Sequence, residues 1–345
     1  MFEKNLKYYR LKKNMKIKDL AAACGVTPMA ISNYENGKRK PNMETINKLA
    51  EALGVYVVDF LSSRNSNLVF DHREFRKNSK LTKTQQEFVQ ESVEEYFGRF
   101  FDAVDCLGGN PLPKPPKCHI LKISGNYEKD SIELRKHLNF QKNGPIDELI
   151  GVLENKGILI LEIDIDNDSF SGMNGFVNDY PYIVINKNMR PERKRTTIIH
   201  ELTHLMFVGD ENDSDNEKMA TAIAGAFLIP KDDLVRELGL RRSSLTKDLA
   251  LVCQEYGISM YLLVKRASQV GIMSDSLATE FYIKANKANW KKNEPQRVKN
   301  IEEPMLLKQL VLRAINEEGI SIQRGAELLN QPCIEVEKYC GLMEV

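Results

Sequence analysis

Apolar positions recur at helical spacing through the first 62 residues. "NLKYYRLKKN" sets Leu6, Tyr9 and Leu11 on or near one face, which predicts a helix. "IKDLAAACGV" predicts a second helix, ended by Gly25, because glycine reaches the left-handed conformation that a helix end often needs. Thr27 then suits an N-cap and Pro28 the first turn of a third helix, "PMAISNYENG", which stops at Gly37. "METINKLAEALG" and "VVDFLS" read as two more. A polar stretch from Ser62 to Lys83 reads as a hinge. Beyond it, Val89, Val93, Tyr96, Phe97 and Phe100 mark one long helix.

The Pro-rich "GGNPLPKPPKC" is an extended, semi-rigid linker, and the patterning changes after it. "SIELRKHLNF" and "GPIDELIGVLENKG" read as helices. "ILILEIDID" and "YPYIVINK", rich in Ile and Val, read as strands. The polar stretch between them, with Gly172 and Gly175, reads as a connection. "RPERKRTTIIHELTHLMF" is a helix opened by Pro191, and "EKMATAIAGAFLIP" is a helix opened by Glu217. "YGISMYLLVKRASQVG" reads as one amphipathic core helix. The fold class is therefore α+β and mostly helical. Four segments are expected: an all-α head at 1–66, a helical connector and linker at 67–118, an α+β domain with a small sheet at 119–300, and a helical C-terminal unit at 301–345.

Composition adds compartment and charge. With 42% apolar and 28% charged residues, the chain is ordinary globular protein. "MFEKNLKYYRLKKNMK" lacks the apolar core of a signal peptide, and no run of apolar residues is long enough to span a bilayer. The six cysteines are scattered and form no CxxC pair. Neither a disulfide framework nor a thiolate zinc knuckle is indicated, and a cytoplasmic setting is expected. Net charge is only +1, yet residues 1–62 hold eleven Lys/Arg against six Asp/Glu. A basic head on a mildly acidic body implies that the head meets a polyanion.

Two short helices joined by a tight glycine turn have helix-turn-helix geometry, with the later one entering the major groove. That helix offers Thr27, Ser32 and Asn33 as polar contacts and Met29 as an apolar probe. Lys38, Arg39 and Lys40 follow where phosphates would run. "LAAACGVTPMAISNYENGKRKPNMETINKLAEALGV" resembles the XRE/Cro-C1 type helix-turn-helix. It departs from that family at Ile17, near a position the family usually gives to Gln. The resemblance implies a double-stranded DNA operator as partner and a homodimer as the binding form. A later pattern, "SIQRGAELLNQPCIEVEKY", is helix-turn-helix-like but lacks a basic turn, so it reads as a packing or dimerisation unit.

The chemistry sits in "TTIIHELTHLMF". The chain has five histidines, and His200 and His204 are two of them. Residues four apart share a helix face, so both imidazoles can point at one ion. Glu201 cannot reach that position, but it can reach a water on the ion. A zinc would lower that water's pKa, and Glu201 would take its proton as general base. A third ligand is needed. Asp210, Glu211, Asp213, Asp215 and Glu217 are the candidates; Glu217 is preferred because it opens a helix whose Ala220, Ala224 and Ala226 allow close packing.

"YIVINKNMRPERKRTTIIHELTHLMF…EKMATAIAGAFLIP" resembles the ImmA/IrrE family of zinc metallopeptidases. The resemblance implies a zincin-like domain, zinc on His200, His204 and Glu217, and Glu201 as catalytic base. Thr203, Thr221 and Ile223 depart from residues common in the family, and none of these changes removes a ligand. Cys118 and His119 lack spaced metal-binding partners and read as structural, with Cys118 as a zinc cap the lesser reading; His72 and His137 read as surface residues.

The expected function is a DNA-binding regulator that cleaves a repressor, a toxin or antitoxin partner, or itself. The substrate strand is expected along "YPYIVIN". The rival is a non-catalytic repressor whose zinc domain senses a ligand or binds a partner. A zinc deaminase is disfavoured, because no H-x-E…C-x-x-C signature is present.

Overall fold

A computed structural model describes residues 1–62, 65, 67–71, 81–209, 213–290, 294 and 302–341. The first elements are α1 (Phe2–Lys12), α2 (Ile17–Cys24), α3 (Pro28–Glu35) and α4 (Met43–Leu53), then a 3-10 turn at Val57–Leu61. Gly25 and Gly54 end α2 and α4 in the left-handed conformation. Thr27 caps α3 by accepting from the Ala30 N–H at 3.2 Å. Leu6, Leu20, Ile31, Leu49, Leu53 and Phe60 close one small core under these helices. Strand β1 (Phe70–Asp71) and the long helix α5 (Lys83–Cys106) follow.

Then come α6 (Tyr127–His137), α7 (Leu149–Glu154), β2 (Leu159–Ile163), β3 (Gly172–Val177), β4 (Tyr180–Asn186), α8 (Pro191–Met206) and α9 (Asp213–Leu228). The chain continues through α10 (Lys231–Leu238), α11 (Leu249–Tyr256), α12 (Met260–Gln269) and α13 (Asp275–Lys287). It finishes with α14 (Leu306–Asn316), α15 (Ile322–Leu329) and α16 (Cys333–Cys340). The fold class is α+β and mostly helical, as the patterning implies. No described helix is long and apolar enough to cross a membrane.

The contacts divide the chain into two compact units. The first is built from α1–α5 and α14–α16, so the connector helix and the C-terminal helices pack with the head. Lys7 pairs with Glu91 of α5 at 2.7 Å, and Arg324 of α15 pairs with Asp102 of α5 at 3.1 Å. Arg99 of α5 also donates to the Leu328 carbonyl. The second unit holds α6–α13 and the sheet strands β2–β4.

The sheet order is β1-β3-β4-β2, with β2 parallel and β3 antiparallel to β4. Strand β3 corrects the expectation of a plain connection between two strands. Its glycines serve close approach. A Cβ at Gly172 would stand 2.7 Å from Thr197 Cγ2, so only glycine lets α8 lie against this strand. Asn178, at φ 52°, turns β3 tightly into β4, since asparagine tolerates the left-handed region. The topology also corrects the expected substrate strand. β4 is paired on both sides, so it has no free edge to offer a peptide.

The stretch "YGISMYLLVKRASQVG" is broken rather than continuous: Gly257 ends α11 at φ 61° and Ser259 caps α12. Ile160, Ile183, Ile198, Leu202, Leu205, Ile223 and Phe227 belong to one core that fixes α8 and α9 against the sheet. Arg135 of α6 is buried and spans the carbonyls of Phe227, Gln141 and Gly144, which ties the end of α9 to α6. Burial pulls its guanidinium down to about 10.

Candidate metal centre

Helix α8 divides its side chains among three neighbours. Ile198, Leu202 and Leu205 enter the core. Thr197 and Glu201, four apart, face β3 at Gly172 and Asn174. His200 and His204, also four apart, face α9, which answers with Glu217 and Thr221 at the same spacing.

Glu217 Oε2 lies 3.3 Å from His200 Nε2, and Glu217 Oε1 lies 3.3 Å from His204 Nε2. The two Nε2 atoms are 3.3 Å apart. Among the described residues, these three form the one trio of donors close enough to share an ion, with ligand atoms within 4.8 Å of one another. A tetrahedral zinc with ligands at about 2.0–2.1 Å requires donor separations of about 3.3 Å. Two imidazole nitrogens 3.3 Å apart, each 3.3 Å from one of the two carboxylate oxygens of Glu217, therefore fit zinc in donor type and distance.

Glu217 is 60% exposed, so one side of the trio is open. Its carboxyl is held well below the usual range by the closeness of His200 and then of His204. Glu217 sits in the second turn of α9, because the helix begins at Asp213 and not at Glu217. Asp215 pairs with Lys218 and is no part of the trio. Asp210, Glu211 and the Asp213 side chain lie outside the described residues, as does His72.

Glu201 is buried directly beside the histidines. Burial raises its carboxyl, against the pull of His200, His204 and the Asn174 hydrogen bond. Asn174 Nδ2 donates to Glu201 Oε2 at 2.8 Å. Asn174 is not legible in the sequence, because Gly172 and Gly175 give β3 the look of a connection. Cys118 is outside the metal trio; its Sγ approaches the Pro116 carbonyl at 3.6 Å, and burial pushes its thiol up to about 11. His119 meets the Phe207 carbonyl through Nδ1 at 3.3 Å, and His137 meets the Lys117 carbonyl.

In the first unit, Met29 is 69% exposed and Thr27, Lys38, Arg39 and Lys40 are exposed, while Ser32 and Asn33 are half-buried. Asn33 also accepts the Lys38 and Arg39 N–H groups at its carbonyl, which shapes the basic turn. Arg10 fixes α3 from behind: its Nε and Nη2 donate to the two oxygens of Glu35 at 2.5 and 2.9 Å, and its Nη1 to the Met15 carbonyl.

A helix-turn-helix family model matches residues 6–60, and the model of the IrrE N-terminal-like domain, a peptidase family, matches residues 153–268. The chain fuses a helix-turn-helix domain to an IrrE N-terminal-like domain. The metal trio and Glu201 fall inside the second match, and α2–α3 with the basic turn inside the first. No curated protein matches the chain. Among solved structures, the crystal structure of Bacillus thuringiensis PlcR in complex with the peptide PapR7 and DNA is similar at 12% identity. The match covers 98% of this chain and 97% of that chain, with a TM-score of 0.17, too slight to carry an argument.

Proposed function

We propose that this helix-turn-helix and IrrE-like fusion is a cytoplasmic transcriptional regulator with a zinc-dependent endopeptidase domain. Its substrate is a repressor, a toxin or antitoxin partner, or the chain itself. The observation that carries the reading is the convergence of His200, His204 and Glu217 beside a buried, oriented carboxylate. The domains are 1–66 for DNA binding, 67–118 as connector, 119–300 as peptidase and 301–345 as a helical unit.

In this reading His200, His204 and Glu217 hold the ion. A bound zinc supplies Lewis acidity toward a water and a carbonyl. Glu201 accepts the water's proton and later returns a proton to the leaving amine. Asn174 holds Glu201 by one oxygen, Oε2, and the other oxygen is the one assigned to take the proton. Thr27, Met29, Ser32 and Asn33 read base edges, while Lys38, Arg39 and Lys40 bind phosphates. A homodimer binds an inverted repeat with half-sites one helical turn apart.

The test compares wild type with Glu201→Gln in cells, following promoter derepression and the lengths of this chain and its partner. Cleavage in wild type alone supports the reading. Equal derepression with no chain shortened replaces it with the ligand-sensing, non-catalytic regulator.

A further inference from the structure

We infer that Thr221 is a positioning residue for His200, fixing the ring tautomer that leaves Nε2 bare for the metal. The inference rests on the zinc reading above. Thr221 Oγ1 lies 2.9 Å from the Glu217 carbonyl and 3.4 Å from His200 Nδ1. A hydroxyl has one hydrogen and two lone pairs. The Glu217 carbonyl can only accept, so it takes that hydrogen. What remains toward His200 is a lone pair, and Nδ1 must carry a proton to bond with it. A neutral imidazole carries one N–H. With the proton on Nδ1, Nε2 presents its lone pair toward His204 Nε2 and Glu217, each 3.3 Å away.

The local chemistry favours this arrangement. Thr221 is one turn beyond Glu217 on α9, so its hydroxyl meets the carbonyl four residues back, a standard helical partner for threonine. The β-branch stiffens the side chain, so the oxygen stays where the ring needs it. One hydroxyl thus links the backbone of one ligand residue to the ring of another. Partners of this kind orient metal-binding histidines, and their loss costs roughly 10–100-fold in metal affinity.

The experiment uses the full chain and zinc itself. Zinc affinity is measured by chelator competition for wild type, Thr221→Val and Thr221→Ser, with the visible absorption of the cobalt-substituted forms as a second readout. Valine keeps the shape and loses the hydroxyl; serine keeps the hydroxyl. Valine is expected to bind zinc about tenfold more weakly or worse and to shift the cobalt bands, with serine close to wild type. If valine folds poorly, Thr221→Ala against Thr221→Ser gives the same comparison, since the two differ by one oxygen. A wild type that binds zinc, with a valine variant of equal affinity and spectrum, overturns the inference alone. Equal losses in valine and serine also overturn it. A wild type that takes up no zinc overturns the peptidase reading and this inference together.

Discussion

The head and the candidate metal centre both rely on helices, short in the head and 16 residues long at the centre, and they use them in opposite ways. In the head, every candidate contact lies on α3 or in the turns at its ends, mostly facing outward. At the metal centre, the donors come from two helices and meet at 3.3 Å. A surface that meets a polyanion gathers many small, separable contributions, so losing one weakens it by degrees. A three-donor site has no spare member, so losing one ends it.

The sharpest break of that contrast is His204→Ala. Metal analysis of the purified chain is expected to fall from about one zinc to none, while Cys118→Ala keeps its zinc. Full occupancy in the His204 variant would remove it from the ligand set. Next is Glu201→Gln, expected to lower cleavage on the order of 10²–10⁴-fold while leaving zinc content, melting temperature and operator affinity unchanged. A variant that loses zinc as well would make Glu201 structural.

Arg10→Met probes the support behind the head. It leaves Glu35 buried without its partner, and the arginine and glutamate side chains are only 4% and 5% exposed. Destabilisation of about 3 kcal/mol is expected in urea unfolding of the first unit. A shift under 1 kcal/mol would mean that the pair does not brace α3. A smaller effect is predicted for Arg39→Ala: operator affinity falls a few-fold and the slope of log affinity against log salt shrinks by about one. An unchanged slope would show that Arg39 touches no phosphate.

The smallest effect is expected at Asp248. Hydrogen bonds from Arg242 and Thr246 lower its carboxyl from 3.8 to about 2. A lowered folded value gives stability that is present above the unfolded value and lost as pH falls toward the folded one. The melting difference between wild type and Asp248→Asn should therefore be small at pH 7 and fade as pH drops from 3.8 toward about 2. A difference that grows on acidification would contradict the sign.

A second pair of helices shows how little the backbone motif says by itself. α15 and α16 repeat the plan of α2 and α3: eight residues, three residues including one left-handed, then eight more. Asn330 takes the role of Gly25. Yet α16 exposes Ile334 and Glu335 with no basic turn after it, and α15 spends Arg324 on Asp102. The charge of the exposed side chains separates the two, and that charge is readable in the sequence.

Most helices were legible because apolar spacing and caps are local features. β3 was not, because Gly172 and Gly175 look like loop residues until the strand and helix that crowd them are known. The break at Gly257 was hidden by apolar residues on both sides of it.

The sequence by itself determined that His200 and His204 share a face with Glu201 turned aside, because one helix of known period carries all three. It also determined the frame and charge of the head. Only the tertiary structure decided which acid stands 3.3 Å from both histidines, that Asn174 holds Glu201, and that β4 has no free edge. Helical period is set by backbone geometry within a few residues. The meeting of α8, α9 and β3 is set by the packing of apolar faces whose partners lie far apart in the chain.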